Sequence, residues 1–193
     1  MEKNTREKFQ QLCEITHSTE KMWNNARGFA PDSVADKLDV AMLHWLTELT
    51  DALKIWIDIG LDMTDGELIL ARTNLGAIVE FWLRFFYCVY YEDYIKDPIL
   101  DHQGKMREPN KETFEELKKF SNGRLWHDNA TRDYKFVDEI QHRRNSIHAF
   151  EFKNIGIPKD FLKDIEDLLY FVKELTISLP SIQARKTQCL APM

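Results

Sequence analysis

Arg143, Arg144, Asn145 and His148 fall within the segment "DEIQHRRNSIHAFEF". A guanidinium presents planar, charged donors that match phosphate oxygens. An imidazole titrates near neutrality and can take or give a proton. Together with a polar amide they are the smallest set that could cleave RNA without a metal. The histidine would handle a proton at the ribose hydroxyl or the leaving oxygen, and an arginine would stabilise charge on the phosphorane.

On an α-helix, residues four apart project about 40° from one another. The pattern therefore places Arg144 and His148 on one face, Arg143 to its side and Asn145 on the other flank. A plainer reading stands beside this one. Arg143 and Arg144 can pair with Glu139 or Asp138 one turn earlier, and His148 can sit at the edge of a core.

The elements that must position these residues read as helices. The chain of 193 residues has 7 glycines and 6 prolines, and long stretches contain neither, which favours helix over strand and turn. Apolar spacing predicts helices over 5–25, 33–58, 64–95, 111–120, 133–150 and 159–179. The second carries Val34, Leu38, Met42, Trp45, Leu49, Leu53 and Trp56 at helical spacing. Thr64 followed by Glu67 has the capping-box pattern, so the third helix should start there.

That third helix is apolar almost all round, which marks the centre of a bundle. Its charges Arg72, Glu80 and Arg84 form one stripe, and buried charges must be paired. Two readings follow for Glu80: an internal pair with Arg84, or a carboxylate that orients an arginine of the 133–150 helix from behind. The architecture expected is all-α, an up-and-down bundle of about five to six helices. It forms a single domain with its core over about 33–179, a loop over 96–110 and a flexible tail over 180–193.

Other chemistry has no sequence signature here. No phosphate-cradling glycine loop, dinucleotide fingerprint, zinc-protease motif or nucleophile elbow occurs, so no cofactor is implied. Asp101-His102 and His127-Asp128 are isolated dipeptides without a third ligand at metal spacing, and no metal site is assigned. The net charge of −6 argues against a broad nucleic-acid-wrapping surface but permits a small basic pocket. Three widely spaced cysteines give no disulfide framework. The N-terminus is charged from its second residue, unlike a secretory signal, and the most apolar run, 68–91, is interrupted by charges. Cytoplasmic location without membrane association is the expectation.

The stretch "RRNSIH" resembles the signature of the HEPN superfamily: an arginine, an adjacent polar residue, and a histidine after four to six intervening residues. By strict count Arg143 is the arginine and Arg144 fills the polar slot. The register Arg144-Asn145 leaves three residues before His148. The resemblance extends to an all-helical chain, HEPN-like over about 33–179, with the motif on the penultimate long helix.

It implies a metal-independent endoribonuclease leaving cyclic-phosphate ends, of toxin or defence type, or else a non-catalytic module binding nucleotide, RNA or a protein partner. It also implies a homodimer whose motif helices meet, and an antitoxin as partner. His148 would be the acid/base, Arg143 and Arg144 would bind phosphate, Asn145 would orient, and Glu80 would lie behind them. Where several members have a tyrosine two positions after the histidine, this chain has Phe150.

Overall fold

The computed structural model describes residues 2–148 and 150–180; Ala149 and the tail from 181 onward, with Cys189, lie outside them. The described residues form eight α-helices and no strand beyond two isolated bridges, an all-α bundle. The helices are α1 (Glu2–Trp23), α2 (Asp32–Asp39), α3 (Leu43–Ile59), α4 (Asp65–Val89), α5 (Tyr91–Tyr94), α6 (Phe114–Ser121), α7 (Arg132–Arg144) and α8 (Pro158–Ser178). No helix among them is long and apolar enough to cross a membrane.

The centre is α4. The Thr64 hydroxyl accepts from the Glu67 amide at 3.3 Å, and Glu67 accepts from the Thr64 amide at 2.8 Å. This reciprocal cap satisfies two amides that would otherwise lack acceptors. Beyond it, Leu75, Ile78, Val79, Trp82 and Leu83 are fully buried. Each such side chain contributes roughly 1.5–3 kcal/mol by leaving water. Helices α3, α7 and α8 pack against α4, and α1 packs on α3 and α8.

Three expected helices are broken. The segment 33–58 divides between Asp39 and Leu43, where the Val40 and Ala41 amides both turn back to the Leu38 carbonyl. The division lets α2 pack on α4 and α5 while α3 packs on α1 and α4. It also leaves Val40, Met42 and Trp45 exposed, although periodicity placed Met42 and Trp45 in the core. The helix expected to run to Ile95 ends at Val89 and resumes as the single turn of α5. The motif helix, expected to continue to Phe150, ends as α-helix at Arg144; Asn145–His148 form a 3₁₀ turn. Tighter winding changes the projection, so the shared α-helical face expected for Arg144 and His148 is not formed.

Candidate functional site

Helix α7 starts at a capped end, with the Thr131 hydroxyl accepting from the Tyr134 amide. Phe136, Val137 and Ile140 bury its inner face, and the Phe136 ring meets Phe171 of α8 at 5.8 Å. Packing on α4 is close at Gly76. A Cβ there would overlap Cβ and Cγ of Arg144. The glycine thus lets the arginine stem lie directly across α4, with its guanidinium one turn further along that helix.

The two adjacent arginines diverge from this point. Arg144 donates from Nη2 to Glu80 Oε2 at 3.0 Å, and from Nη1 to Asn145 Oδ1 at 3.3 Å. Arg84 donates to the other Glu80 oxygen at 2.6 Å. One carboxylate therefore serves two guanidiniums. Glu80 thus contacts both Arg84 and Arg144.

Arg143 turns the other way, to Asp164 of α8 at 2.8 Å and to Glu139 one turn back on its own helix. The Asp164 oxygen that accepts from Arg143 also accepts from Arg72 of α4. Arg72 is therefore not part of the Glu80 stripe. Its side chain is 0% exposed, against 12% for Arg143 and 31% for Arg144. Burial pushes the Asp164 carboxyl up and the Arg72 guanidinium down, with their mutual attraction opposing both shifts.

The turn at Gly156 closes over this pair. Its φ of +70° is a glycine conformation, and a side chain there would press on Asp160, Arg72 and Arg143. The Ile155 carbonyl accepts from Arg72 Nε at 3.1 Å. Arg72 Nη2, by contrast, is buried without an acceptor among the described residues.

Charge separates the two halves of the cluster. Arg72 and Arg143 face Asp164 and Glu139, two cations against two carboxylates. Arg84 and Arg144 share Glu80, two cations against one. The uncompensated positive charge therefore belongs to the triad that contains Arg144.

His148 is exposed, and among the described residues its ring meets no hydrogen-bond partner. Ser146 anchors the 3₁₀ turn before it, donating to the Arg143 carbonyl at 2.6 Å. Beside it in the chain Ile147, Phe150 and Phe152 are exposed, the last two almost completely.

Sequence reading did not find Asp164 or Gly76. Gly76 had a signal, since a lone glycine inside a strongly apolar helix often marks a close approach. The two aspartate–histidine dipeptides have local tasks. Asp101 Oδ1 accepts from the Gln103 and Lys105 amides, and Asp128 Oδ1 from the Ala130 amide. No group of three or more His, Cys, Asp or Glu side chains converges on a metal-sized point among the described residues.

No protein-family model matches the chain, and comparison with the curated proteins and with the solved structures returns no match. The chemistry of the site stands on its own residues.

Proposed function

We propose that this chain is a HEPN-like, metal-independent endoribonuclease of toxin or defence type that works as a homodimer. The observation that carries the reading is an exposed imidazole, His148, without a partner among the described residues, four residues after an arginine with an oriented guanidinium and an uncompensated charge. Arg144 is the phosphate-facing arginine in this reading. Glu80 and Asn145 hold two of its nitrogens and leave the side chain partly open. Arg143, held by Asp164 and Glu139, positions the end of α7.

Attack of a ribose 2′-hydroxyl on phosphorus removes a proton on one side and returns one to the leaving oxygen on the opposite side. One imidazole cannot stand on both sides of an in-line displacement. A second copy supplies the other histidine, and exposed Ile147, Phe150 and Phe152 offer apolar surface beside His148 for that contact.

The second reading is a non-catalytic module binding nucleotide, RNA or a protein partner. It is favoured by one observation: each motif arginine already has a carboxylate partner. Induced expression of wild type and His148→Ala in a bacterial host separates the two. Growth arrest with new cyclic-phosphate RNA ends, lost in the variant and retained by purified protein in chelator, is the ribonuclease outcome. Equal growth and unchanged RNA ends in both strains would leave the binding module.

A further inference from the structure

Arg84, on the far side of Glu80 from Arg144, reaches a cavity of about 350 Å³ walled by α2, α3 and α4. That volume suits a small ligand. The division between α2 and α3 sets Val40, Met42 and Trp45 at this cavity, and Trp45 is 55% exposed. Large apolar side chains gathered in the open at a concave site mark a binding surface. Phe81 adds a second aromatic wall. Burial pushes the Cys88 thiol up to about 12, so the wall it contributes is uncharged at neutral pH.

The polar groups define the charge of the occupant. Lys37 is already paired with Glu108 at 2.8 Å. Arg84 gives Nε and Nη2 to the Glu112 carbonyl and Nη2 to Glu80, while Nη1 meets no acceptor among the described residues. With Glu80 shared, the Arg84–Glu80–Arg144 triad lacks one negative charge. Asn110 also lines the cavity.

We propose that this cavity binds a small aromatic monocarboxylate whose carboxylate takes the free edge of Arg84 and whose ring lies against Trp45 and Phe81. A single negative charge completes the triad. With its own carboxylate at Arg84, the ligand releases Glu80 to Arg144. The acid therefore opposes phosphate binding at Arg144, and by linkage phosphate weakens the acid by the same factor. This coupling rests on the phosphate-facing role proposed for Arg144; the binding site itself does not.

The test titrates the nitrogen-labelled full chain with a fluorinated indoleacetate, followed by fluorine NMR and by the arginine Nε–Hε resonances. Saturable binding is expected. It should weaken roughly tenfold or more in Arg84→Met and in Trp45→Ala; the second removes an exposed side chain and leaves the core intact. In wild type the Arg144 resonance should shift while that of Arg72 stays in place. No saturable binding overturns the site, and binding unchanged in both variants overturns its location. Binding with a stationary Arg144 resonance overturns the coupling. Loss of self-association in Trp45→Ala, with no acid bound by wild type, would assign this face to a second copy and overturn the ligand. None of these readouts depends on RNA cleavage, so failure of the ribonuclease reading is a separate result.

Discussion

Helix α7 is tied to α6 and to α4 by two cation clusters built on opposite principles. On the α6 side, Lys118 donates to Asp138 and Gln141, each at 2.6 Å, and lies 3.0 Å from Glu115. An ammonium has three protons and here meets three acceptors. On the α4 side, Arg144 and Arg84 divide one carboxylate between them. The first arrangement has nothing left to offer a ligand. The second keeps unused donors and net charge, the condition under which an anion gains by binding. Stoichiometry of partners, more than burial or residue type, separates a structural ion cluster from a candidate site.

The largest loss is expected at a third tie, where Arg143 of α7 meets Asp164 of α8. Asp164→Ala would leave Arg72 and Arg143 facing each other without their shared carboxylate, a loss of about 3–5 kcal/mol expected from removing one side of a buried ion pair. Lys118→Met should cost less, about 1–3 kcal/mol, because Asp138 and Glu115 are partly exposed and can be rehydrated. Urea unfolding of both variants ranks them. A larger loss for Lys118→Met would reverse that order and show that partial exposure of its carboxylates does not soften the cut.

Gly76→Ala is a finer probe. Overlap with the Arg144 stem costs about 1–3 kcal/mol as overpacking, set against roughly 1 kcal/mol of better helix propensity. A small net destabilisation is expected, together with displacement of Arg144 from Glu80. An arginine resonance unchanged in the variant would show that the helices part without moving the site.

The smallest effect is in pH dependence. Hydrogen bonding from Lys118 holds the Glu115 carboxyl down at about 2, against an ordinary value of 4.5. A depressed carboxylate contributes stability above its unfolded value, and that contribution is lost as pH falls through the folded value. Stability should therefore decline between about pH 4.5 and about pH 2, and Glu115→Gln should flatten that stretch of the curve. Exposure of this side chain keeps the effect modest. A curve of the same shape in Glu115→Gln would place the acid sensitivity elsewhere.

Much of the scaffold was readable before folding. Thr64 and Glu67 announce the start of α4, Pro158 the start of α8, and the apolar periods mark both ends of α1 and α8 within a few residues. The breaks at Val40–Met42 and after Arg144 were not readable, because apolar spacing continues across the first and helix-compatible residues across the second. There tertiary packing overrode local preference.

For the site, the sequence by itself determined that two arginines, an asparagine and a histidine lie together, and that Glu80 and Arg84 are one turn apart. It could not determine their partners. Asp164 is 21 residues from Arg143, and Glu80 is 64 residues from Arg144. Which arginine meets which carboxylate depends on how α4, α7 and α8 face one another, and on a glycine that lets α7 approach. Local spacing dictates which side chains can share a helix face. Only the packed bundle decides which charges are neutralised, because Coulomb attraction acts between elements that the chain order leaves apart.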